Sequence, residues 1–439
     1  MMDEGLPPKK SNEEHTMRLS SLPVIVAGIF ILGIQQGIAA EPSPPAPRVV
    51  DLKSTDGTPL KATYFPAAKP GPGALLLHQG NRSRQGWEAV ATRLAAAGIN
   101  TLTIDLRLHG DSGGTPLDKL TPDQRKDLTH MTQDDADAGF HYLISQPGVK
   151  QDDIGIGMAG AMGVINGVET ARRHPDQTKS LVLMSGETTR DGLQFLHEAS
   201  QLPGLFIVSD QDEYPPTREA MELLYASSTN PDKRYVHYST SQDAPWLWYE
   251  TSFSDLDKVP STNNHGTDLL KLHPELPGMV VDWFVTTLIT TPGHAPTDGL
   301  AAAAIINQLE WGGSAGVAQV TQQLTEARKK DPKVQLFPEI DVDIIGEDFG
   351  RVGDFKSAIE IFKLNLLAYP DSVDALDNLA DAYQQDGQDA LARPLAERAL
   401  KILDEGTLPS SSWSNTEQRR DEARKFTEMV LKNLDEKKQ

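Results

Sequence analysis

The sequence predicts an α/β fold followed by an all-helical region, on three observations. From Val49 to about Thr291, short β-rich apolar runs alternate with helical patterns, as in a mostly parallel sheet with helices on both faces. The strand-like runs are apolar at nearly every position, so they are expected to be buried on both sides. Beyond Thr291-Pro292-Gly293 the β-rich runs cease and helical patterns take over, two of them self-similar. The expected organisation is an export segment or anchor over 1–40, a Pro-rich linker over 41–48, the α/β domain over 49–292 and the helical domain over 293–439.

Composition narrows the function classes. The 439 residues carry 41 Lys+Arg against 62 Asp+Glu, a formal net charge of -21, with no basic stripe to reverse it, which argues against a nucleic-acid partner. The absence of Cys excludes disulfides, Cys-ligated zinc, iron-sulfur clusters and thiol nucleophiles.

Residues 1–16 are polar, and Met17 opens an export-signal pattern. Arg18 supplies a positive charge, Leu22 to Ile34 form an apolar run, and the small Ala39 and Ala40 precede Glu41. Cleavage after Ala40 and a periplasmic or secreted location are expected, the alternative being membrane anchoring through residues 22–40. Met17 as the true initiator is a further alternative. Glu41 to Pro47 is Pro-rich and reads as an extended tether.

The α/β region opens with a hairpin, VVDLKS and LKATYFP around a turn at Thr55-Asp56-Gly57. GALLLHQG, NTLTIDLRL, DIGIGMAG, KSLVLMSG, GLFIVSD and KRYVHYST follow as strands, with helical patterns in WEAVATRLAAAG, ADAGFHYLISQ and VINGVETARR.

The string LLLHQGNRSRQGWEAVATRLAAAGINTLTIDLRLHGDSGG resembles the α/β-hydrolase family, in particular its dienelactone-hydrolase-like and lipase-like branches, over roughly 240 residues. Asp105, Arg107, His109, Gly110 and Ser112 form a D-x-R-x-H-G-x-S signature whose role in the family is mostly structural. The resemblance implies a Ser nucleophile, an acid and a His base, in that chain order. Asp212 in GLFIVSDQDEY fits the acid, with Asp210 second. His265, before Gly266 and a helical run, fits the base, with His237, His273 and His294 as weaker rivals.

The nucleophile elbow, expected as G-x-S-x-G, falls in DIGIGMAGAMGVING, which holds no Ser, Cys, Thr or Asp at the turn. Motif matching places Ala161 or Met162 at the nucleophile position, and counting from the strand at Ile154 selects Gly160. None of these side chains attacks a carbonyl. The oxyanion region, His78, Gln79 and Gly80 together with Met162, has Gln79 where the family often has Gly. Ser185, at the end of KSLVLMSG, is a weaker candidate for a displaced nucleophile. His, Asp and Glu spacings give no HExxH-like cluster, and there is no G-x-G-x-x-G or P-loop string, so neither a catalytic metal nor a cofactor is expected. A long segment before His265 carries Trp246, Trp248 and Tyr249, expected either to line a ligand pocket or to pin the loop.

In the helical region Gly346, Phe349, Gly353, Ala358, Phe362 and Pro370 sit at the spacings of a tetratricopeptide repeat, followed by Ala380, Tyr383, Gly387, Ala392, Ala396 and Ala399. The displacement is 34 residues from Gly346 to Ala380, Phe349 to Tyr383, Gly353 to Gly387 and Ala358 to Ala392. The resemblance implies a protein or peptide partner, the bland alternative being a helical buttress on the α/β domain. The expected function is therefore that of an exported, degenerate α/β hydrolase that binds a small ester-like ligand or a protein. The alternative is an active ester or amide hydrolase using His265 and Asp212 with water or a displaced nucleophile.

Overall fold

Eight strands form one sheet in the order β1-β2-β4-β3-β5-β6-β7-β8. They are β1 (Arg48–Lys53), β2 (Pro59–Phe65), β3 (Gly71–Leu77), β4 (Asn100–Asp105), β5 (Val149–Ala159), β6 (Thr178–Met184), β7 (Gly204–Ser209) and β8 (Lys233–Tyr238). The computed structural model describes residues 43–210, 212–214, 217–238, 264–291, 303–406 and 417–436. The expected export segment, Trp246, Trp248, Tyr249 and His294 lie outside them.

β1 and β2 pair antiparallel, β2 continues antiparallel onto β4, and every later pairing is parallel. Parallel strands need crossovers, and these are helical. They include α1 (Glu88–Ala96), the short α2 (Pro122–Lys126), α3 (Leu128–Ser145), α4 (Gly160–Arg173), α5 (Arg190–Glu198) and α6 (Thr217–Ser227). α7 (Leu269–Leu272) and α8 (Leu276–Val285) follow β8. Strand periodicity divides the core. On β3, Leu75 and Leu77 join a cluster with Phe140, Val164 and Val168 of α3 and α4, while Ala74 and Leu76 join Val90, Leu94, Val280 and Phe284 of α1 and α8. The result is a helix-sheet-helix sandwich with the α/β-hydrolase fold.

The D-x-R-x-H-G-x-S signature builds the loop that follows β4. The buried Asp105 carboxylate accepts from the backbone N-H groups of Arg84 (2.6 Å) and Asp111 (2.9 Å) and pairs with the Arg84 guanidinium. Gly110 has φ +52, and a Cβ there would run into the Asp105 carboxylate, so only Gly fits. Arg107 clasps Asp135 of α3 through Nε (2.8 Å) and Nη2 (2.6 Å), and also reaches Asp56 (2.8 Å) and Ser54 (3.0 Å) in the β1-β2 turn. Arg107→Met leaves a fully buried carboxylate unpaired. Its expected cost is about 3–5 kcal/mol, read as a lower urea midpoint, and a loss below about 1 kcal/mol refutes this account.

The helical region comprises α9 (Ala303–Trp311), α10 (Gly313–Lys330), α11 (Glu339–Arg351), α12 (Phe355–Ala368), α13 (Val373–Gln385), α14 (Asp389–Glu405) and α15 (Glu417–Glu436). α13 begins 34 residues after α11, and α14 begins 34 after α12, as in helical repeats. The repeated glycines have a physical cause: Gly353 (φ +80) and Gly387 (φ +76) turn the chain between the helices of each pair. At Gly346 a Cβ would overlap the Phe362 ring, so the small residue permits the α11-α12 crossing.

The helices pack on the sheet domain. Ile306, Leu309, Phe337 and Ile345 belong to the same core cluster as Phe206 and Met221. On α9, Asn307 donates to the Ala226 carbonyl (3.0 Å) and Trp311 stacks on His197 (4.1 Å). Among the described residues no helix is long and apolar enough to cross a membrane.

Candidate active site

The carboxyl edge of the sheet gathers three segments: the loop after β3, the turn from β5 into α4, and the loop carrying His265. Asp212 lies just beyond β7, and His265 opens the short helical turn before α7. His265 Nδ1 is 2.9 and 3.1 Å from the two Asp212 oxygens, and both residues are only 7% exposed. Burial alone would lower the pKa of this imidazole. The Asp212 charge and hydrogen bond override it, so His265 is held above the ordinary histidine range. Tyr214 packs edge-on against the ring at 4.6 Å, and its backbone N-H donates to Asp212 (3.0 Å). Burial, with Glu213 beside it, pushes the Tyr214 hydroxyl up to about 12, so it stays protonated.

The sequence rivals separate in space. Asp210 pairs with His237 (3.0 Å) in the open, where the His237 side chain is 57% exposed. His273 stacks on Tyr238 at 3.6 Å. Ser185 is buried at the end of β6 with φ +49 and its Oγ has no hydrogen-bond partner, so the structure does not join it to His265.

The sequence leaves three registers for the turn after β5, Gly160, Ala161 and Met162, and the backbone distinguishes them. β5 runs on to Ala159, and the left-handed residue that turns strand into helix is Gly160, with φ +65. A Cβ on Gly160 would lie 3.1 Å from His265 Nε2. Ala161 and Met162, the positions chosen by motif matching, already belong to the first turn of α4, and Met162 leans on the hydrophobic core. The Gly- and Ala-rich string offers several registers because sequence does not show where φ turns positive.

Gln79 holds the other surprise. Its side chain is buried between two glycines. A Cβ at Gly160 would overlap its Cβ and lie 3.1 Å from its Cα, and a Cβ at Gly266 (φ +52) would stand 2.8 Å from its amide carbon. Its amide oxygen accepts from the Thr267 backbone N-H (3.0 Å) and hydroxyl (2.8 Å), and its Nε2 donates to the His265 carbonyl (3.3 Å). The Gln79 side chain thus braces the histidine loop, and its Cβ lies where a Cβ at residue 160 would have to go.

His78 is likewise turned away from ligand. Its Nε2 accepts from the Leu106 N-H (3.2 Å), which leaves Nδ1 to donate to the Gln79 carbonyl (2.8 Å), and burial, aided by His109, keeps the ring neutral. Gly80 stays open, with nothing within 4 Å of a Cβ there, and its carbonyl bonds to His109 Nε2.

Asp212, His265 and the turn at Gly160 thus meet at the carboxyl edge of a sheet with the α/β-hydrolase fold. No family model matches the chain, and no curated protein matches it. Solved structures do. A dienelactone hydrolase from Anabaena variabilis is 17% identical, covering 56% of this chain and 99% of its own, with a TM-score of 0.38. An esterase from Pyrococcus furiosus is 18% identical over 55% of this chain and 93% of its own (TM-score 0.39). A dienelactone hydrolase-like promiscuous phosphotriesterase from metagenomic libraries is 16% identical over 54% and 99% (TM-score 0.39).

Proposed function

We infer that this protein is a degenerate α/β hydrolase, exported, whose cleft binds a small ester-like ligand without turning it over covalently and whose helical repeats engage a protein or peptide partner. The observation that carries the first part is Gly160 beneath Gln79. The elbow residue has no side chain, and the space for one is occupied. The 34-residue offset of the helix pairs supports a tetratricopeptide-like array. The apolar run from Leu22 to Ile34, followed by the small Ala39-Ala40 before Glu41, supports export.

A second reading rests on the aligned Asp212-His265 pair, whose Nε2 faces the elbow: the imidazole activates a water that attacks an ester directly. Hydrolysis of short aryl esters by the chain from Glu41 onward, beside His265→Ala, separates the two. The degenerate reading expects equal, background rates for both. A parent rate that disappears in His265→Ala overturns it in favour of the water mechanism.

A further inference from the structure

We propose that Asp137, His141 and His174 form a binding site for a zinc-class transition-metal ion that staples α3 to the carboxyl end of α4. Asp137 and His141 are four residues apart on α3 and so share one helix face. His174 ends α4, its backbone anchored by N-H donation to Thr170 (3.0 Å). Its ring is flattened on Phe140, with centroids 4.1 Å apart and an 11° tilt, which directs Nε2 at Asp137 Oδ1, 2.6 Å away. The second carboxylate oxygen of Asp137, Oδ2, is 3.4 Å from His141 Nδ1, which also lies 2.9 Å from the Asp137 backbone carbonyl and gives up that hydrogen bond when it ligates.

The chemistry and the spacing agree. One donor atom from each of the three residues falls within a 4.8 Å circle. Tetrahedral zinc with bonds of about 2.0–2.1 Å holds its donors about 3.4 Å apart, the present Asp137-His141 separation. The Asp137-His174 contact is a hydrogen bond that must open by about 0.8 Å as the metal replaces its proton, a movement available to a carboxylate turning about its last bond. Two imidazoles and one carboxylate favour zinc, nickel or copper over calcium or magnesium, which prefer all-oxygen sets. The adjacent cation, Arg173, is already neutralised by Asp134 (3.1 Å) and Glu169 (2.9 Å). The His141 side chain is 59% exposed, which leaves an approach for the ion and a fourth position for water.

This site is separate from the cleft. α4 has 14 residues, so its two ends, Gly160 at the elbow and the metal triad, stand about 20 Å apart. The ion would tie the far end of the elbow helix to its neighbour and stabilise the fold in proportion to its occupancy.

The test uses the full chain without an affinity tag, metal-stripped and titrated with Co2+ followed by Zn2+. The proposal expects one Co2+ per chain, with the intense visible bands of a tetrahedral or five-coordinate site, displaced by Zn2+, and a Tm that rises with Zn2+ and is unmoved by Ca2+. His141→Ala, an exposed position whose loss spares the fold, is expected to weaken Zn2+ binding by more than the roughly 10–100-fold that a supporting group alone costs, and His174→Gln to do the same. No uptake by the parent, or Zn2+ uptake and Tm shift retained in His141→Ala, overturns it.

Discussion

Gly160→Ser alone is expected to leave the protein inert toward aryl esters, and Gly160→Ser combined with Gln79→Gly to acquire a hydrolysis that depends on His265. The reason is steric. A Cβ at residue 160 overlaps Gln79 Cβ, so a serine there displaces either itself or the loop after β3, and the triad does not assemble. Gln79→Ala keeps the offending atom, so Gly160→Ser/Gln79→Ala should stay inert, which distinguishes the Cβ overlap from any effect of the amide. In the active pair the gain is expected at about 10²–10⁴-fold over Gly160→Ser, the range in which a positioned base acts. Removing the Gln79 amide forfeits its bonds to Thr267 and His265, at about 1 kcal/mol each, so the double variant should fold but melt earlier.

The pH profile follows from the same geometry. His265 must be neutral to take a proton, and its pKa is held above the ordinary histidine value of about 6.5, so the rate in the active pair should rise with pH through an apparent pKa higher than that. Asp212→Asn removes the charge that raises it, and should move the limb to lower pH while reducing the rate. The stability sign is the opposite. A raised folded-state pKa contributes stability in full below pH about 6.5, and this is lost as pH climbs through the folded value. Activity in Gly160→Ser alone, or inactivity of the Gln79→Gly pair with its fold intact, would falsify the reading of Gln79 as the occupant of the nucleophile's seat.

What sequence conveys and what it withholds can be read from these residues. Strand runs buried on both faces and a 34-residue displacement are local patterns, and the strands and helix pairs follow them. The Asp212-His265 pair was also legible, because an acid just past a strand and a His-Gly before a helix are local signals, and the structure brings the two side chains together. Gly160 was one of three registers that sequence left open, since which residue takes a positive φ depends on where β5 stops. Gln79 was read by its chain position, yet its side chain's partners lie 186 and 188 residues away. The same holds for Asp137 and His174: one helix supplies the first and another helix's end the second, and only packing makes them neighbours.

Arg190 is the extreme case of such a long-range contact, and Arg190→Met is expected to be among the most destabilising single substitutions in the chain. From the first turn of α5 its guanidinium enters the helical region, pairs with Glu310 of α9 and bonds Asp348 of α11 at 3.0 Å. It lies between the rings of Trp311 (5.0 Å) and Phe349 (4.4 Å). Glu310 and Asp348 are 2% and 3% exposed. Burial raises the Asp348 pKa even with Arg190 present, so without that charge the carboxylate is costlier still. Methionine preserves the packing stem but leaves the buried Glu310 without its cation and Asp348 with only Arg351 at 3.9 Å, and the expected loss is about 3–5 kcal/mol. Arg190→Lys keeps a charge yet cannot present a plane to both rings while reaching both acids, and should recover only part of it. Because the penalty is carried by ionised carboxylates, the deficit of Arg190→Met should shrink as pH falls from about 8 to about 5 and those groups take up protons. Urea melts at both pH values, read alongside hydrogen exchange in α9 and α11, test this directly. A pH-independent deficit would assign the role of Arg190 to packing against the two rings, and no deficit would mean that the helices are held to the sheet domain by their shared apolar core alone.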